Sequence, residues 1–63
     1  MNGKIKFYNS TRGYGFIINE ETKQDHFFHI TGLMYDTPQK DDVVSFDLEK
    51  TEKGEKCINI YKQ

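Results

Sequence analysis

No alanine occurs anywhere in this 63-residue chain, and leucine appears only at Leu33 and Leu48. The apolar set is instead Ile, Val, Phe and Tyr. β-branched and aromatic side chains fit a pleated, half-buried surface better than a helix face, so the composition selects strands. They come in short runs closed by turn residues. Lys4-Ile5-Lys6-Phe7-Tyr8 is followed by Asn9-Ser10-Thr11-Arg12-Gly13, which reads as a strand and a turn. Tyr14 to Asn19 is a second strand, and Glu20 to Gln24 is a connection of hairpin length. Asp25 to Ile30 is a third. Thr31 to Asp41, with Gly32 and Pro38, is the longest loop and holds a single helical turn near Thr31 to Met34. Residues 42 to 50 form a fourth strand. Lys53-Gly54-Glu55 is a turn, and Lys56 to Lys62 is a fifth strand with Ile58 and Ile60 on one face and Cys57, Asn59 and Tyr61 on the other. Five short strands at this spacing form a small antiparallel barrel, expected as one domain over residues 1 to 63. Its interior is filled by Ile5, Ile17, Phe28, Leu33, Val44, Phe46 and Ile60.

A core this small is marginal without help, and a single cysteine, Cys57, can form no intramolecular disulfide. That fits a reducing, cytoplasmic setting. No signal peptide is expected from the start of this sequence, and it holds no apolar run near the ~18 residues of a membrane span. One Cys and two His are too few for a zinc cage, so no metal or other cofactor is expected. Cys57 reads as a small packing residue.

The stretch Arg12-Gly13-Tyr14-Gly15-Phe16-Ile17 carries most of the functional information. In an extended strand Tyr14 and Phe16 share one face, with Gly15 and Ile17 on the other. Nine aromatic rings cannot all fit the interior of a five-strand barrel, because overpacking is itself destabilising. The rings of Tyr14 and Phe16 are therefore expected outside, with the glycines letting the strand bend beneath them. Asp25-His26-Phe27-Phe28-His29 adds Phe27 and His29 to the same outer surface. Exposed rings stack bases, and neighbouring cations contact phosphates. Net charge is −1, but residues 1 to 18 hold Lys4, Lys6 and Arg12 with no acid, while residues 19 to 63 hold six Lys against ten Asp or Glu. A local basic field can steer an anionic ligand despite the acidic remainder.

These motifs resemble those of the bacterial cold-shock proteins. The family's Lys-Trp-Phe-Asn followed by Lys-Gly-Phe-Gly-Phe-Ile stands here as Lys6-Phe7-Tyr8-Asn9 followed by Arg12 to Ile17. Its Asp-Val-Phe-Val-His stands as Asp25 to His29, with Thr31 and Leu33 after it. Val44-Ser45-Phe46 and the closing Gly54 to Ile60 also match in order. The resemblance implies an oligonucleotide-binding (OB-fold) barrel that binds single-stranded RNA or DNA without catalysis, as an RNA chaperone or regulator of transcription or translation. It implies stacking by Phe7, Tyr14, Phe16, Phe27 and His29, a secondary aromatic position at Tyr8, and basic positions at Lys6, Arg12 and Lys53, which with Lys4 are expected to hold phosphates. Pyrimidine-rich strands are the expected partner, and a monomer is the default state.

The departures point to weaker or altered binding. Phe7 replaces Trp, Ile30 replaces an aromatic, Asp41 replaces Gly, Glu55 replaces Pro, and the loop around Pro38 is short. Strict alternation also places Phe7 beside Ile5 on the core face, so only a bulge or sharp bend in the first strand brings its ring outside. His26 falls on the core face and is expected at the exposed rim of its strand. No nucleophile stands beside Asp25 and His29, so no enzyme is read here. The rival class is a protein-interaction module that uses the same aromatic face for a peptide.

Overall fold

A computed structural model describes all residues, Met1–Gln63. Five strands are present: β1 (Asn2–Asn9), β2 (Tyr14–Asn19), β3 (Asp25–His29), β4 (Val43–Thr51) and β5 (Gly54–Lys62). A single 3-10 turn, Ile30–Gly32, follows β3 and takes Ile30 out of the strand that the sequence assigns it to. The strands close into a barrel in the order β1-β2-β3-β5-β4. The ring is not wholly antiparallel: β3 and β5 run parallel, with Phe27 opposite Lys56 and Phe28 opposite Cys57. Parity requires this, because a closed ring with an odd number of strands cannot alternate direction all the way round. No helix is long and apolar enough to cross a membrane.

Two bulges set which side chains enter the barrel. On β1, Ile5 faces Ile17 but Phe7 faces Phe16, so one extra residue, Lys6, is inserted. Strict alternation resumes only after it, and Lys6 and Phe7 both lie outside. On β5, Tyr61 pairs with Ser45 while Ile58 pairs with Asp47, and Asn59 takes a left-handed φ of 51°. The period-2 reading of β5 is therefore wrong: Cys57 and Ile60 are both buried, and Asn59 is outside.

The core is Ile5, Ile17, Phe28, Val44, Phe46, Cys57 and Ile60. Leu33, expected within it, is only partly buried and packs against it from the loop, as do Tyr8, Tyr35 and Leu48. His26 also departs from expectation. It is not at an exposed rim but 8% exposed, packed at 6.1 Å from the Phe46 ring, and its Nε2 has no hydrogen-bond partner. Burial of Cys57, reinforced by the Glu55 charge, pushes its thiol from 9.0 up to about 12.

The loop between β3 and β4 is tied down by Asp42. Its Oδ2 accepts from the Tyr35 hydroxyl (3.0 Å) and the Gln39 backbone N–H (2.9 Å). Desolvation, then the bond and charge of Asp42, raise the Tyr35 phenol far above its ordinary value.

Candidate nucleic-acid interface

The β1–β2 turn begins the site. Gly13 takes a φ of 70°, its N–H donates to Asn9 O, and Asn9 Oδ1 accepts from the Arg12 backbone N–H. Gly15 answers a different need. A Cβ there would meet Phe7 O and, at 2.8 Å, the Phe28 ring, so only glycine lets β1 and the core ring close beneath the outer face.

On that outer face three rings form one row across three strands: Phe7 opposite Phe16, and Phe16 opposite Phe27. Beside it runs a second row, Asn9 opposite Tyr14 opposite His29. Tyr14 joins the two rows, 6.0 Å from Phe7, 6.3 Å from Phe16 and 6.0 Å from Phe27. Phe16 and Phe27 meet nearly edge to face at 6.1 Å. Phe7 remains 45% exposed and Phe27 38% exposed, while Tyr14 and Phe16 are half-buried between them. Contiguous exposed rings are unusual on so small a domain. Neighbouring rings hold one another in place, which leaves each little rotamer freedom.

His29 stands at the edge of this surface. Its Nδ1 accepts from the Thr31 backbone N–H (3.2 Å) and lies 3.0 Å from Thr31 Oγ1, capping the 3-10 turn. With Nδ1 engaged as an acceptor, the neutral ring carries its proton on Nε2, as a donor.

The cations differ in their freedom. Lys6 Nζ is bound to Asp25 Oδ2 at 2.8 Å, although both side chains are largely exposed. Arg12 and Lys53 are exposed and form no ion pair. Lys53 lies in the β4–β5 turn and lines a groove of about 370 Å3 with Phe27, Thr51, Glu55 and Lys56. The fold thus brings Lys6, Phe7, Tyr14, Phe16, Phe27, His29 and Lys53 around one surface. Tyr8 is set apart. It faces inward after the bulge and stacks on buried Phe28, with centroids 6.1 Å apart and planes 11° from parallel.

Lys56 is the residue that sequence reasoning missed. The parallel pairing of β3 with β5 sets it directly opposite Phe27, and nothing local in Glu55-Lys56-Cys57 announces that neighbour. Ile30 is 44% exposed, and its side chain packs over Gly13. His26, His29 and Cys57 do not gather into a metal-binding group.

The 'cold-shock' DNA-binding domain model matches residues 1–63. The chain belongs to this family. A cold shock-like protein of Aquifex aeolicus is 36% identical over 92% of this chain and 87% of its own length. Cold shock-like protein CspB of Bacillus cereus is 34% identical over 98% of both. Y-box-binding protein 1 of Xenopus laevis is 35% identical over 92% of this chain, which spans only 22% of that longer protein. Among solved structures, drosophila Unr CSD456 matches with a TM-score of 0.80 and 25% identity, over 98% of this chain and 26% of that one. The family is one of non-enzymatic, nucleic-acid-binding domains.

Proposed function

We propose that this cold-shock domain binds single-stranded RNA or DNA on the outer face of β1, β2 and β3. Bases splayed from the strand stack on Phe7, Tyr14, Phe16 and Phe27, with His29 at the edge, while Lys6, Arg12 and Lys53 contact phosphates. The observation that carries this reading is the cross-strand row Phe7–Phe16–Phe27, held by Tyr14 and open to solvent. Stacking accepts any base, so preference is loose and favours pyrimidine-rich strands. Holding exposed single strands opposes RNA secondary structure by mass action. The role that follows is an RNA chaperone, or a regulator of transcription or translation, acting as a cytoplasmic monomer.

The test is fluorescence anisotropy with end-labelled dT and dA strands of equal length, at low and moderate salt, beside a duplex. The label belongs on the ligand because the chain has no Trp. The reading expects single-strand binding that favours dT, weakens with salt, and falls by about 1–3 kcal/mol in Phe27→Ala with the fold intact. Unchanged affinity in that variant removes the site. No binding even at low salt moves a peptide-binding use of the rings to the front.

A further inference from the structure

The ring row does not stop at Phe27. The same register continues across the barrel, with Phe27 opposite Lys56 and Lys56 opposite Glu49. Lys56 Nζ lies 3.5 Å from Glu49 Oε1, and neither side chain is buried. Lys56 also walls two grooves at once. One is the groove it shares with Phe27 and Lys53, and the other, of about 130 Å3, lies against the 3-10 turn and is lined by His29, Thr31, Met34, Glu49 and Asn59. A cation in this position flanks any strand stacked on Phe27, yet it is already neutralised by its own barrel.

We propose that Glu49 is an internal competitor for the ligand's phosphate. It holds Lys56 in an ion pair that a bound strand must open, so it lowers affinity. This rests on the nucleic-acid reading of the ring face. Opening the pair costs part of what the Lys56–phosphate contact returns, whereas without the carboxylate Lys56 is free to meet the phosphate at once. The released cation comes from the strand's own condensed atmosphere, so the contact adds about 0.7 to the magnitude of the log–log salt slope with or without Glu49.

The experiment is a double-mutant cycle on dT binding across a salt series, with wild type, Glu49→Gln, Lys56→Gln and the double variant. Each substitution is on an exposed strand face, and circular dichroism checks that the barrel is kept. The expected result is about two- to fivefold tighter binding by Glu49→Gln at low salt. The gain shrinks as rising salt screens the ion pair, and it vanishes in the Lys56→Gln background. A gain that persists without Lys56 overturns the proposal, since Glu49 then acts only by repelling the strand at a distance. Wild-type binding that depends on Phe27 but is unaffected by Glu49→Gln also overturns it, and leaves the ring face standing. Absence of binding by wild type and Glu49→Gln alike overturns both.

Discussion

Replacing His26 should make this protein more stable. The imidazole is 8% exposed, and its Nε2 is sealed from solvent without a partner. An unsatisfied buried polar atom costs about 1–3 kcal/mol, because folding strips its water and returns nothing. His26→Val removes that cost. It also removes the ring that packs at 6.1 Å and 52° against Phe46, a contact worth about 0.5–1.5 kcal/mol. The difference favours valine by about 1 kcal/mol, which for a domain this small raises Tm by about 4–8 °C. His26→Leu fills more of the vacated volume and guards against a cavity. Differential scanning calorimetry reads the result without needing a tryptophan. If both variants melt below wild type, the imidazole is satisfied in solution and the reasoning fails. Affinity for dT should stay within about twofold of wild type, since the ring points toward Phe46 rather than the outer face.

Other outcomes follow from the same geometry. Gly15→Ala should destabilise by about 1–3 kcal/mol, because its Cβ meets Phe7 O and the Phe28 ring; an unchanged urea midpoint would show that the strands can part at no cost. Thr37 is β-branched at a φ of 53°, so Thr37→Gly relieves about 1–2 kcal/mol of strain against 0.5–1 kcal/mol of lost chain entropy and should raise Tm slightly; a lower Tm would mean that the Thr37 Oγ1 bond to Asp36 O matters more. Cys57, with its thiol held up to about 12, should resist thiol reagents at pH 8 unless denaturant is added. The sign of its linkage is also fixed. Between 9.0 and about 12 the unfolded thiol loses its proton and the folded one does not, so stability falls as pH rises through that window, and less steeply in Cys57→Ala. Phe7→Trp should bind dT more tightly, because position 7 is 45% exposed and a larger plate covers more of a base; weaker binding would mean the larger ring does not lie flat on this face.

Local pattern made much of this protein legible. β2 alternates without a break, so Tyr14 and Phe16 outside and Gly15 and Ile17 inside follow directly from period 2. β1 and β5 do not alternate, and there the pattern misleads. The β1 bulge requires two consecutive outward residues, which Ile5-Lys6-Phe7-Tyr8 neither demands nor forbids. Only the resemblance to cold-shock proteins placed Phe7 outside. On β5, two isoleucines two apart suggested a shared face, whereas the left-handed Asn59 rotates the strand between them. Asn tolerates that conformation better than most residues, so the signal was present but weak. His26 differs for another reason: alternation puts it on the core face, but a buried imidazole calls for a partner, so the rim is the natural expectation, and the barrel buries it with Nε2 unpaired.

Long-range pairing was the part with no local signature, and it bears most on the site. The sequence assigns basic character to the first 18 residues and acid to the rest. The barrel does not keep these regions apart. It brings Asp25 to Lys6 and sets the Lys56–Glu49 pair beside Phe27. Two of the cations beside the rings, Lys6 and Lys56, therefore carry a resident carboxylate, while Lys53 does not. Net charge is then a poor guide to what a strand meets on this surface. On the proposed reading, a strand meets the free cations first and engages the paired ones by exchange. Asp25→Asn should accordingly act like Glu49→Gln, tightening dT binding at low salt through Lys6, and a Lys6→Gln background that preserved the gain would show that the exchange does not occur.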